Sequence, residues 1–218
     1  MGRHKIARLM RSNHLKGCPK KRDRATTQSN PSHRVADNLL EQDFVANGPD
    51  QKWASDITYI STHQGWLYLA VTMDLFSRRI IGWSMGHWIS RHLVVDALRM
   101  AINVRQPNGP LIHHSDRGAQ YSSEDFRDEL KKHGIIASMS GTGNCYDNAV
   151  VESFFAILKR ERVNRVRYRT REEARADLFE YIEIFYNRKR RHGYLGNISR
   201  RTSKEGKPDH SKLSIKIG

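Results

Sequence analysis

Three strand-like runs follow one another between Lys52 and Met85 with no helical segment between them, and this restricts the architecture more than any other feature. KWASDITYIS and GWLYLAVTMDL are rich in β-branched and aromatic residues, and THQG joins them with the length and glycine of a hairpin loop. In the second run Leu67, Leu69, Val71 and Met73 alternate with Tyr68, Ala70 and Thr72, the two-residue period of a strand. LFSRR then turns the chain into a third strand, RIIGWSM. Beyond it helices and strands alternate. SRHLVVDALRMAINV reads as a helix opened by Ser90, and GPLIHHSD as a short strand ending at Asp116. SSEDFRDELKKHG reads as a helix capped by Ser122 or Ser123 and stopped by Gly134, and IIASMS as a strand. After the glycine-bearing loop GTGNCYDN come the helix NAVVESFFAILKRE and a last long helix, TREEARADLFEYIEIFYNRKRRH. The order β-β-β-α-β-α-β-α-α predicts an α/β fold, a mixed sheet flanked by helices.

A chain of 218 residues with 38% hydrophobic content can build one substantial core with extensions. Its mean hydropathy of −0.71 and the lack of an apolar run of about 18 residues argue against a membrane span. The basic start lacks the apolar stretch and cleavage site of a secretory signal. Cys18 and Cys145 are far apart and in no metal-binding spacing, so a disulfide framework is not expected and a reducing cytoplasm is. Charge is more informative. Lys and Arg number 38 against 23 acids, a formal +15, the footprint of a polyanion binder and most often of nucleic acid. Residues 1–36 carry ten of the basic residues and a single acid, Asp23, with helical spacing through Ile6, Leu9 and Met10.

Three acids occupy positions where acids are uncommon. Asp56 lies mid-strand in WASDITYI, where Asp is depleted and must face solvent or a site. Asp116 falls at the carboxyl end of a strand, the edge at which open α/β sheets bind ligands. Glu152 sits beside the apolar stripe of Val151, Phe154, Phe155 and Leu158, with no cation three or four residues away. A rim carboxylate reaching solvent is the plain alternative for Glu152. Between Asp56 and Asp116 lie 59 intervening residues, and between Asp116 and Glu152 lie 35. If the fold unites the three, their repulsion calls for divalent cations, and hard oxygen ligands suit Mg²⁺ or Mn²⁺.

WASDITYI, VTMDLFSRRIIGW, LIHHSDRGAQY, YDNAVVESFFAILKRE and YNRKRRHGYLGN together resemble the integrase catalytic core of insertion-sequence transposases. The likeness is closest to the OrfB-type group, with a D,D(35)E triad on an RNase H-like fold related to retroviral integrases. It is specific because five motifs occur in order with the 35-residue gap, and it runs from about residue 1 to about residue 198. The resemblance implies that Asp56, Asp116 and Glu152 are catalytic and hold two Mg²⁺ or Mn²⁺ ions. It also implies DNA strand cleavage and strand transfer, without a covalent protein–DNA intermediate, by a homo-oligomer on the nucleoid DNA of a bacterial cytoplasm. Lys159 matches the basic residue that follows the glutamate, and the helix sets it on Glu152's face, about 10 Å along the axis.

Further DNA contacts are expected from Arg160, from Asn144, Tyr146 and Asn148 before Glu152, and from Arg188, Lys189, Arg190 and Arg191. His114 is a candidate for a phosphate or water contact, with a packed strand residue as the alternative. Asp74 is read as the cap of a turn shaped by Ser77 and Arg78, not as a fourth acid. Tyr181, Ile184 and Phe185 are assigned to the core. Three regions are expected. Residues 1–50 form a basic arm ending a helix-turn-helix-like segment, residues 51–192 the catalytic core, and residues 193–218 a polar, disordered tail. The start inside that segment and the divergent tail leave, as the alternative function, a truncated and inactive DNA-binding remnant with a regulatory role. An upstream helix-turn-helix protein of the same element is a further expected partner.

Overall fold

The computed structural model describes residues 2–15, 36–141, 147–192 and 198–199. Its elements are α1 (Arg3–Ser12), β1 (Lys52–Thr62), β2 (Gly65–Asp74), β3 (Ile80–Gly86), α2 (Arg91–Arg105), β4 (Ile112–Ser115), α3 (Glu124–Lys132), β5 (Ile136–Met139), α4 (Ala149–Glu161), α5 (Arg171–Glu180), β6 (Arg191–His192) and β7 (Ile198–Ser199). The expected order of strands and helices is present. So is the hairpin, in which Thr62 pairs with Gly65 and Gly65 adopts a φ of 101°, a left-handed conformation that glycine tolerates best.

Five strands form one mixed sheet in the order β3-β2-β1-β4-β5. The hairpin-linked strands β1, β2 and β3 pair antiparallel, whereas β1–β4 and β4–β5 are parallel. Parallel neighbours require a crossover, and here α2 and α3 supply the connections. Each face of the sheet has its own core. On one, Ala54, Ile60, Leu69, Val71 and Met73 pack with Val151, Phe154, Phe155 and Leu158 of α4 and with Ala174 and Leu178 of α5. On the other, Trp53, Ala70 and Ile81 pack with α2 and with Phe126 and Leu130 of α3.

Local signals set the helix ends. Ser90 Oγ accepts the Leu93 amide, Ser123 Oγ accepts the Phe126 amide, and Thr170 Oγ1 accepts the Glu173 amide. Asp74 is the expected turn cap: it is buried, and its Oδ2 accepts both the Ser77 amide and the Ser77 hydroxyl.

The last helix departs from expectation. After Glu180 it widens into a π-helical stretch, Tyr181–Lys189, closed by the Arg190 amide on the Phe185 carbonyl five residues back. A turn wider than 3.6 residues moves the buried positions from a three-or-four spacing to a five spacing. Tyr181 and Tyr186 are therefore buried, as are Ile182 and Asn187, while Ile184 and Phe185 are exposed. The assignment of Ile184 and Phe185 to the core is thus corrected; that of Tyr181 holds.

Candidate active site

Asp56 and Asp116 reach the same level of the sheet through strand register. β1 and β4 pair Lys52 with Ile112, Trp53 with His113 and Ala54 with His114. Continued two residues past the last pair, this register sets Asp56 beside Asp116. From Ser55 onward β1 has no strand partner on that side, among the described residues, until Thr62 bridges to Tyr168. The start of α4 covers the gap: Asn148 donates from Nδ2 to the Ser55 carbonyl at 3.2 Å, which brings Glu152, one turn later, over the same edge.

Electrostatics reflect this closeness. Asp56 is half-buried, and its carboxyl is raised well above the ordinary carboxylate range. Burial is the main cause and the charge of Asp116 the next; the Ile57 amide lowers the value, Glu152 raises it and Lys159 lowers it. Asp116 is also raised by burial, against a hydrogen bond from the Gly118 amide to Oδ1 at 2.9 Å. A Cβ on residue 118 would stand 2.9 Å from that same oxygen, so only glycine lets the amide approach so closely. Glu152 is exposed, whereas Val151, Phe154, Phe155 and Leu158 are buried, as the apolar stripe requires.

Among the described residues no three His, Cys, Asp or Glu side chains already stand close enough to hold a metal ion. The donor set nevertheless fits a hard divalent cation: the donors are carboxylate oxygens, and burial and then the charge of Asp116 raise Asp56, both of which a bound cation would offset. Two buried polar atoms border the acids without a hydrogen-bond partner, Asn148 Oδ1 and the Tyr121 hydroxyl. Burial, and after it the charges of Asp56 and Asp116, push the Tyr121 hydroxyl well up.

The other candidates separate clearly. His114 is fully buried, with Nδ1 on Ser138 Oγ at 2.9 Å and Nε2 on Ser140 Oγ at 3.2 Å, and burial lowers it to about 4. It ties β4 to β5 and presents no face to DNA, which corrects the expected phosphate contact. His113 is buried on the opposite face, bonded to Ser55 Oγ at 2.7 Å. Arg190 is committed to Glu161 at 2.8 Å, which also accepts the Tyr181 hydroxyl; it fastens the end of α4 to the last helix and does not stand ready for phosphate. Arg160, Arg188, Lys189 and Arg191 are exposed. Lys159 Nζ stands 4.8 Å from the Tyr59 ring centre. Asn148 is buried at the base of α4, and Asn144 and Tyr146 lie outside the described residues.

Gly118 and Tyr121 are not among the expected site residues, although both follow Asp116 within the DRGAQY motif. Nor do Tyr59 and Trp66, whose rings meet edge to face at 4.9 Å, stand out in the sequence from other strand aromatics.

The integrase core domain matches residues 46–145 and 152–202. A 31 kDa protein of insertion element IS600 from Shigella sonnei is 47% identical over 199 residues, which are 91% of this chain and 73% of that protein. Transposase InsF of insertion sequence IS3A from Escherichia coli K12 is 53% identical over 165 residues, 76% of this chain and 57% of InsF. Among solved structures, a chain of the simian T-cell lymphotropic virus intasome superposes with a TM-score of 0.59 at 17% identity, covering 90% of this chain and 73% of that one. The HTLV-2 integrase catalytic core in complex with magnesium gives 0.51 at 18%, covering 70% and 94%. Such distant likeness speaks to fold, and with the mixed five-stranded sheet the fold is RNase H-like. The chain belongs to the insertion-sequence transposases that carry an integrase core domain.

Proposed function

We propose that residues 51–192 form a catalytic core that cleaves DNA strands and transfers them to new DNA, with Asp56, Asp116 and Glu152 as ligands for two Mg²⁺ or Mn²⁺ ions. The observation that carries this is the shared level of Asp56 on β1 and of Asp116 at the end of its parallel neighbour β4, with α4 pinned beside them through Asn148. The likeness to transposase InsF, and to an HTLV-2 integrase core that is in complex with magnesium, supports it. Paired divalent ions bound there would activate the attacking oxygen and stabilise the leaving 3′ oxygen in an in-line displacement.

The residues divide the work. Asp56, desolvated at the centre of the sheet, gives the site its rigid floor, and the Gly118 amide fixes the orientation of Asp116. Glu152, exposed on the first turn of α4, closes the site from the side that DNA enters. Lys159, Arg160, Arg188, Lys189 and Arg191 supply phosphate contacts that orient DNA without specifying its sequence. Water attack frees a 3′-OH at an element end, and that hydroxyl attacks the target phosphodiester. Two ends must be joined together, so the working form is an oligomer, acting on nucleoid DNA in a bacterial cytoplasm, with an upstream helix-turn-helix protein of the element as a candidate partner.

The test is Mg²⁺-dependent nicking of a duplex that carries the element's terminal repeat, with wild type, Glu152→Gln and Asp116→Asn. Wild type should nick and both variants should lose at least a hundredfold. Intact nicking by either variant removes that residue from the site.

A further inference from the structure

Beyond the acids, β1, the hairpin, Lys159 of α4 and residues 163–168 line a cleft of about 510 Å³, within the roughly 300–1,000 Å³ range of built ligand sites. It opens three residues past Asp56, at Tyr59, and seven residues past Glu152, at Lys159. It follows the edge of β1 that no described strand covers and ends at the hairpin, against Trp66 and Tyr168. Among the described residues its lining includes Lys159, Arg167 and His63 and not one carboxylate.

Aromatic order in the cleft is unusual for a plain surface. Lys159 Nζ lies over the face of Tyr59, and Trp66 meets Tyr59 edge to face at 4.9 Å. Trp66 remains 48% exposed, a large indole held at the cleft wall by a neighbour that touches only part of it. Arg171 steadies this wall by donating from Nε to the Trp66 carbonyl at 3.0 Å, and from its amide to Gln64 Oε1 at 3.0 Å. A fixed, half-exposed ring beside cations and away from acids suits one ligand chemistry, an anionic chain that carries flat bases. Paired bases hide their faces in the helical stack; unpaired ones offer them.

We propose that this cleft binds single-stranded DNA, with a base stacked on Trp66 and the adjoining phosphates held by Lys159 and Arg167. It would take unpaired nucleotides beside the reacting phosphodiester, so that DNA is gripped through its bases as well as its backbone. This rests on the DNA reading above, but it needs neither metal nor the carboxylates.

The test is fluorescence anisotropy of labelled short oligothymidylate, of a labelled abasic strand of equal length and of a labelled duplex, each titrated with the protein in EDTA. Wild type should bind oligothymidylate more tightly than the abasic strand. Trp66→Ala should weaken oligothymidylate binding about tenfold, the scale of one lost base–aromatic stack, while leaving the abasic strand and the duplex nearly unchanged. Trp66→Phe, which keeps a ring, should recover most of the affinity and guards against a misfolded variant. Trp88→Phe removes an indole that is 71% exposed elsewhere and should leave the affinity intact. The proposal is overturned if Trp66→Ala binds oligothymidylate as wild type does, or if the abasic strand binds wild type as tightly as oligothymidylate. Glu152→Gln should still prefer oligothymidylate to the abasic strand, so failure of the cleavage reading and failure of the cleft are separable.

Discussion

Asp56 and Asp116, 60 positions apart in the chain, come to one level because β1 and β4 pair in parallel with that same offset, as Ala54 does with His114, and Asp116 directly follows β4. Two carboxylates so placed repel each other, and burial sharpens the repulsion. The expected consequences concern stability, geometry and metal.

Asp56 should weaken the fold at neutral pH. Its folded value is raised, so the favourable contribution of the neutral form is present below the ordinary carboxylate range. It is lost as pH rises through the folded value. Asp56→Asn should therefore melt a few degrees above wild type at pH 8, with the gain vanishing near pH 3. Thermal melts without metal at both pH values check this.

The two buried histidines should act in the opposite direction. His113 and His114 are lowered to about 3 and about 4, so they stay neutral in the fold while the unfolded chain takes up protons below about 6.5. Stability present above pH 6.5 should fall on acidification, by about 2 kcal/mol per histidine at pH 5. Urea midpoints from pH 7 to pH 5 should show the loss, and His114→Asn should flatten its share.

Gly118→Ala places a methyl 2.9 Å from Asp116 Oδ1 and disturbs the amide bond that orients it. Strand cleavage should fall at least tenfold. The circular dichroism and melting temperature should remain close to wild type, since the strain is confined to one turn.

Asn187 closes the edge strand by accepting the Ile80 amide at 3.1 Å and donating to the Ile80 carbonyl at 2.8 Å. Asn187→Ala leaves both groups buried and unpaired, and should cost about 2–4 kcal/mol in urea unfolding. Cleavage rates at low temperature should change little, because Asp56 lies two strands away from this edge, on β1.

The chain displays some of this plainly. Ser90 and Ser123 each place a hydroxyl just before a helix, the hairpin has its glycine, and α4 carries its stripe, so these elements are legible from local chemistry alone. Ile184 and Phe185 are misassigned because sequence spacing assumes 3.6 residues per turn, and only packing forces the wider turn at Tyr181–Lys189. His114 is ambiguous because β4 is buried on both faces, where alternation cannot separate a site from a core. Arg190 looks like its exposed basic neighbours, and its tie to Glu161, 29 residues earlier, is visible only after folding. Tyr121 resembles any loop aromatic until the two acids close around it.

Metal binding itself is the most direct measurement: titration of Mn²⁺ into the purified chain, followed by calorimetry, for wild type and for Asp56→Asn, Asp116→Asn and Glu152→Gln. Wild type should bind Mn²⁺ and release protons as Asp56 ionises, and each substitution should weaken binding at least tenfold. Unchanged Mn²⁺ affinity in all three variants would contradict a cation site built from these acids.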